Sequence, residues 1–305
     1  MKISFENVDF RSRSGPNSFG LKLARSLHKS GHTITGIPTD PDIDINLAFI
    51  QSSNAFRPTV LRLDGIYFNS EQDWKAMNEP IRRSYEFADA VIVQSEFNRT
   101  LTERYFGKRD NVHVVHNGTD LQLIDKIPPA EVGIARENVW MCASSWRPHK
   151  RLQDNIALFR ALSGPGDVML VAGTPDVQYD VHDQRVKFLG DLTWEQLISC
   201  MKASRKFVHL AWLDHCPNVV VDARACGCRI YCSSAGGTEE IAGTDALVLE
   251  EDHWDFEPTE LYQPPKIGGF GNLRSSIYDT ESSDIDIELV KQKYESVMSD
   301  LTSRK

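Results

Sequence analysis

No apolar run in the 305 residues approaches the ~20 that a membrane-spanning helix needs. The opening Met1-Lys2-Ile3-Ser4-Phe5 lacks the basic-then-apolar layout of a secretory signal and reads as a first strand. The cytoplasm is the expected location. Basic charge is in deficit as well: the formal net charge is −9, which argues against a nucleic-acid partner. The six cysteines lack the paired spacing of a zinc site. Cys226, Cys228 and Cys232 span a helix end and a strand, where buried thiols are common. Gly15 and Gly20 do not have the G-x-G-x-x-G spacing, so a dinucleotide site is not indicated. Asp40-Pro-Asp42-Ile-Asp44 lacks the Gly and Glu of a calcium loop, since Ile45 and Gln51 stand at those positions, and reads as a surface turn.

What is present is an alternation of short apolar runs and amphipathic stretches, in a chain long enough for two α/β domains. Strands are expected at 2–7, 32–37, 45–50, 59–63 and from Ala90. Between the first two, Pro16 opens a helix in which Phe19, Leu23 and Leu27 recur on one face, and Gly31 ends it. Helices at 71–88 and up to Phe106 follow, with Ser95 as an N-cap and Asn117-Gly118 as a tight turn. In the second half, strands are expected at 139–143, 168–172 and 186–189 and a helix at 194–203. A last helix carries Val290, Tyr294, Val297 and Leu301 on one face, behind a capping box at Ser283–Asp286. Arg82, Arg83, Arg99, Arg104, Lys108 and Arg109 are candidates for a basic face that meets an anionic acceptor or a membrane surface. Solvated helix faces are the plainer reading.

The most informative stretch runs from Phe207 to Ile241. An apolar run, Phe207–Leu213, fits a buried strand with Asp214 at its carboxyl end. Pro217 suits the first turn of a helix that ends at Gly227. A strand at 229–233 then leads into the glycine loop Gly236-Gly237-Thr238-Glu239-Glu240. Asp214 and Asp222 thus stand eight apart, facing the crevice where open α/β sheets bind ligands. A helix N-terminus there favours phosphate, while carboxylates accept hydroxyls. A sugar nucleotide has that layout. His209, inside the apolar run, reads as a core residue.

These residues resemble the carboxyl-terminal signature of glycosyltransferase family 4, retaining enzymes of the GT-B fold. The family's two Glu separated by seven residues correspond to Asp214 and Asp222, its Ala-x-Ala-x-Gly to Ala223–Gly227, and its Gly-Gly-x-x-Glu loop to Gly236–Glu240. Asp214-His215-Cys216-Pro217-Asn218 is similar to a subgroup with Asp-x-Cys-Pro-Asn in place of the usual Glu-x-Phe-Gly. Ser95–Phe97 and Asn117–Asp120 resemble further family stretches.

The resemblance implies two Rossmann-like domains with parallel sheets facing a central cleft. Residues 1–125 would form the acceptor-side domain, with the helix 284–305 packing back on it, and 126–283 the donor domain. It implies transfer of a sugar from a UDP- or GDP-sugar to a glycan or other hydroxyl acceptor, without a metal or other cofactor. Lys150 and Arg147, with Arg151 as a substitute, would grip the donor diphosphate. Asp214 would hold sugar hydroxyls, Asp222 the ribose, and Asn218, Pro217, Cys216 and His215 would face the donor. Gly190 would meet the nucleobase through its backbone, and the loop ending at Gly15, with Arg11, Arg13 and Asn17, would lie near the donor or acceptor. Asp64, at a strand end, would orient sugar or acceptor. A binding or scaffold subunit without catalysis and a sugar-nucleotide epimerase are the alternatives.

Overall fold

The computed structural model describes residues 1–12, 14–175 and 183–303. The chain forms two compact units, one of Met1–Asp120, Phe256–Thr259 and Ser283–Lys305, the other of Leu121–Asp255 and Glu260–Ser282.

The first unit holds a parallel sheet of β1 (Lys2–Glu6), β2 (Thr33–Thr35), β3 (Ile45–Phe49), β4 (Thr59–Leu63), β5 (Ala90–Val93) and β6 (Val112–Val114), in the order β2-β1-β3-β4-β5-β6. β3, β4 and β5 are buried at every residue, which is why they are nearly continuous apolar runs without alternation. Asn46 in β3 and Thr59 in β4 are polar exceptions, and Arg62 in β4 is the charged one. The helices are α1 (Gly15–Lys29), α2 (Trp74–Phe87) and α3 (Glu96–Phe106). Pro16 sits in the first turn of α1, and Phe19, Leu23 and Leu27 are buried along one face. Ser95 caps α3 by accepting the Asn98 amide at 3.1 Å.

The second unit opens with α4 (Leu121–Lys126), then β7 (Val139–Ala143), α5 (Leu152–Leu162), β8 (Val168–Ala172), β9 (Val186–Gly190), α6 (Trp194–Lys202), β10 (Lys206–His209), α7 (Asn218–Ala225), β11 (Arg229–Ser233), α8 (Glu239–Ala242), β12 (Leu247–Leu249) and β13 (Leu273–Ser275). The sheet order is β13-β12-β11-β10-β7-β8-β9, parallel except for the β13 edge. The chain therefore winds outward from β7 in one direction, then returns to β10 and winds in the other. The switch point lies between β7 and β10, and a ligand crevice is expected at their carboxyl ends.

Three expectations are corrected. The strand expected at 207–213 stops at His209, because Leu210 N donates to the Asn155 side chain (3.0 Å), Trp212 N to His149 O (2.8 Å) and Leu213 N to Ala235 O (3.1 Å), so the ladder gives way to loop contacts. Asp214 thus lies five residues beyond the strand. Pro217 precedes its helix as the N-cap residue. The capping box at Ser283–Asp286 is replaced by a 3-10 turn at Ser282–Ile285 and an Asp286 carboxylate that accepts the Glu288 amide at 3.0 Å.

Two segments return to the first unit. Phe256–Thr259 joins it where Thr259 N donates to Phe68 O (3.0 Å) and Ser70 N to Thr259 O (2.9 Å), so residues 126–283 are not an uninterrupted domain. The last helix, α9 (Ile287–Thr302), lays Val290, Tyr294, Val297 and Met298 into the core that α1 fills with Phe19, Leu23 and Leu27. A β-carbon on Gly118 would come within 2.8 Å of Val290, so the Asn117-Gly118 turn sets how closely α9 approaches.

Candidate active site

The loop after β7 leads from Ser144 into a 3-10 turn, Pro148–Lys150. Trp146 Nε1 ties it to Ala172 O at 2.8 Å. Asn155, buried in α5, then joins two loops: its side-chain amide donates to Lys150 O (3.0 Å) and Arg151 O (2.7 Å), and its carbonyl accepts from Leu210 N (3.0 Å). The loops that follow β7 and β10 are thereby held together at the switch point. Arg151 adopts a left-handed backbone with φ of 52°. Its buried guanidinium is committed to Glu251 at 2.7 Å and Pro265 O at 2.8 Å, so it does not serve as the substitute cation expected beside Lys150.

Asp214 is clamped from behind. Gly237 N donates to Asp214 O at 2.7 Å, and Gly236, with φ of 115°, approaches so closely that a β-carbon there would stand 2.5 Å from that same oxygen. The glycine loop is therefore what positions the acid. On the other side of the residue, Asp214 Oδ2 accepts from Lys150 Nζ at 2.5 Å and from His209 Nε2 at 2.9 Å, while Oδ1 accepts the His215 amide at 3.1 Å. Burial disfavours the carboxylate, but the Lys150 ammonium and the His209 hydrogen bond outweigh it and hold Asp214 well below the usual range.

Burial pushes three histidines the other way. His149 falls to about 3, helped by the neighbouring Lys150 and Arg147 charges, and His215 to about 4. His209 is lowered too, again by burial first. All three are neutral at pH 7, and His209 must carry its proton on Nε2 to donate to Asp214.

Of the residues expected to meet a donor, the structure brings Lys150, Asp214 and His215 into direct contact. Arg147 lies exposed, three residues before Lys150. Cys216 and Pro217 are buried and lead into Asn218, the first residue of α7, whose start has no side-chain cap. Asp222 is buried on α7, and its Oδ2 accepts the Trp194 indole at 2.9 Å. Gly190 ends β9 with φ of 68° and open space beside it. These positions follow the carboxyl ends of β7, β9 and β10. His209 and Asn155 were missed by sequence reasoning; a polar residue in an apolar strand is the signal that marks His209.

In the first unit, Gly15 begins α1, and Asn17 braces the preceding loop by accepting Asp9 N (2.9 Å) and donating to Ser14 (2.9 Å). Arg13 lies outside the described residues. Asp64 accepts from Arg62 and, at 2.6 Å, from Gln94 on one oxygen. Arg62 is fully buried, packs over Phe19 and also donates to Asn117 (2.7 Å) and the Tyr294 hydroxyl (3.1 Å). Burial raises Asp64, against the pull of Arg62. The candidate basic face is largely neutralised: Arg82 and Arg83 pair with Glu79, Arg99 with Glu103, and Arg104 with Glu257. Among the described residues, no group of three or more His, Cys, Asp or Glu is arranged to hold a metal, and no helix is long and apolar enough to cross a membrane.

Residues 55–123 match Glycosyltransferase Family 4. Sequence similarity alone finds no match among curated proteins. The whole chain superposes on solved structures. Sucrose-phosphate synthase from Thermosynechococcus elongatus matches at a TM-score of 0.72 and 15% identity, covering 100% of both chains. Anabaena HepE in complex with UDP-glucose matches at 0.69 and 15%, over 99% of this chain and 100% of that one. The catalytic domain of starch synthase IV from Arabidopsis thaliana, bound to ADP and acarbose, matches at 0.61 and 10%, over 99% of each. The chain has the GT-B fold, with two parallel-sheet α/β domains.

Proposed function

We propose that this chain is a retaining glycosyltransferase that moves a sugar from a UDP- or GDP-sugar to a glycan or other hydroxyl acceptor. The observation that carries the reading is the meeting of Lys150 and Asp214 at 2.5 Å at the switch point of the second sheet, four residues before α7 begins at Asn218. Structures of the same fold hold UDP-glucose or ADP, and family similarity in 55–123 points to the same chemistry.

The roles follow from charge. Breaking the bond between sugar and diphosphate leaves extra negative charge on the phosphate oxygens, and fixed cations in a partly dehydrated crevice stabilise it most when it develops. Lys150 and Arg147 supply those cations, and the amides at the start of α7 supply oriented dipoles. Asp222 receives ribose hydroxyls, and Gly190 leaves its backbone open to a base. Asp64 orients an acceptor or sugar hydroxyl. In same-face attack, the leaving phosphate takes the acceptor's proton, and no side-chain nucleophile is required.

Labelled UDP- and GDP-sugars provide the test. The protein should release sugar slowly to water, and Lys150→Ala should lower that rate by orders of magnitude with its circular dichroism unchanged, as loss of a transition-state charge contact requires. Near-normal rates in the variant would remove Lys150 from the site. Recovery of an altered sugar, or of none, would favour an epimerase or a non-catalytic binding protein instead.

A further inference from the structure

Asp214 Oδ2 takes two donors at once, Lys150 Nζ at 2.5 Å and His209 Nε2 at 2.9 Å. Under the proposed function, Lys150 must also meet an anionic diphosphate. A lysine that turns from carboxylate to phosphate leaves a largely buried carboxylate without its counter-charge, which is strongly unfavourable unless another cation replaces it. His209 already bonds the same oxygen. It is the last residue of β10 and is 4% exposed. Burial lowers its proton affinity, Lys150 lowers it further, and Asp214 pulls in the opposite direction. The other charged or titratable groups near this cluster are Arg147 and His149, from the loop after β7, and His215, next to Asp214. When the ammonium moves onto a bound dianion, its repulsion of His209 falls and the attraction of Asp214 is no longer cancelled. Both changes favour the imidazolium form.

We propose that His209 is a proton-linked positioning residue: as an anionic diphosphate draws Lys150 off Asp214, His209 takes a proton from solvent and keeps the carboxylate neutralised and in place. The link to a donor rests on the function proposed above, whereas the charge coupling among Lys150, Asp214 and His209 is a property of the unliganded protein. A histidine that only fills core space beside a carboxylate would take up no proton when a diphosphate binds.

Two measurements test it. In unliganded Lys150→Met, where the ammonium is absent, NMR titration of the His209 ring, assigned with His209→Gln, should show proton affinity raised about tenfold or more over wild type, one pKa unit. Lys150→Gln serves the same purpose should the methionine variant misfold. An unchanged His209 titration overturns the proposal. The second measurement is calorimetry of UDP-glucose, whose diphosphate does not titrate near neutrality, in buffers of different ionisation heat at slightly acid pH. Wild type should take up a fraction of a proton on binding, and His209→Gln, which still donates to Asp214, should bind with none. Binding without uptake by wild type, or equal uptake by the variant, overturns it. If neither UDP-glucose nor GDP-glucose binds while the first result holds, the donor reading falls and the charge coupling in the free protein stands.

Discussion

Asp222 shows how one side chain is shared between structure and the proposed chemistry. Its Oδ2 accepts the Trp194 indole inside the second unit, and the carboxylate is buried. Asp222→Ala should therefore have two separable effects. The indole N–H loses its partner, which costs about 1–3 kcal/mol of stability, and the ribose contact is lost, which costs about 1.5–3 kcal/mol of nucleotide affinity. Adding Trp194→Phe removes the orphaned donor, so the double variant should recover part of the stability without regaining affinity. Thermal unfolding and calorimetry of the two variants separate the terms. Unchanged nucleotide affinity in Asp222→Ala would end its assignment to the ribose. The same division holds for Asp214, whose backbone is gripped by Gly236-Gly237 and whose carboxylate faces Lys150 and His209.

At the scale of elements, α9 does more than cover a core. Its Tyr294 hydroxyl accepts from Arg62 Nε, and Arg62 in turn holds Asp64 and Asn117, so the terminal helix is bonded through one buried cation to a strand end. Tyr294→Phe keeps the ring against Phe19 and removes only the acceptor. A buried donor left unpaired costs about 1–3 kcal/mol, and because Arg62 is charged the upper part of that range is expected. Denaturant unfolding of the first unit should show it, and a loss below about 0.5 kcal/mol would mean that Arg62 finds water or another acceptor. The existence of α9 and its apolar face were legible, because Val290, Tyr294 and Val297 repeat at helical spacing. Its tie to Arg62 was not, since hydrogen bonds across more than two hundred residues leave no periodic trace. A cation in the apolar run Thr59–Leu63 was the available sign that a partner must exist. The strands at 59–63, 139–143, 168–172 and 229–233 were legible to the residue, because both faces of a parallel sheet are covered and apolar runs mark their length. The end of β10 was not legible: apolar letters continue to Leu213 while the backbone has left the ladder for Asn155 and His149. The spacing of Asp214 and Asp222 was legible and Lys150 came through the family resemblance, whereas the bond from His209 to Asp214 was not legible, because an imidazole in an apolar run reads as core until its partner is seen.

For the molecule as a whole, the neutral histidines His149, His209 and His215 of the second unit make stability depend on pH. In the unfolded chain each titrates near its ordinary value of about 6.5, whereas in the fold His149 and His215 fall to about 3 and about 4. Above about pH 6.5 both states are neutral and nothing is lost. Below it the unfolded chain binds protons that the fold refuses, so stability declines until the folded values are reached. By pH 5 this amounts to about 2 kcal/mol for each of His149 and His215, with His209 adding in the same direction. Asp214, held low, acts only in the more acid range, where its protonation removes what remains of the Lys150 pair. Calorimetric scans between about pH 7.5 and pH 5 should therefore show the second unit's transition moving to lower temperature while that of the first unit moves less. The two are to be resolved as separate transitions, since a single two-state fit does not apply to a chain of two units. Replacing His149 and His215 together by Gln should flatten the pH dependence of the second transition even if it lowers stability at neutral pH. A wild-type transition temperature that does not move across that range would show that these rings protonate freely in the fold, and with that the dehydrated crevice that gives Lys150 its strength would be lost.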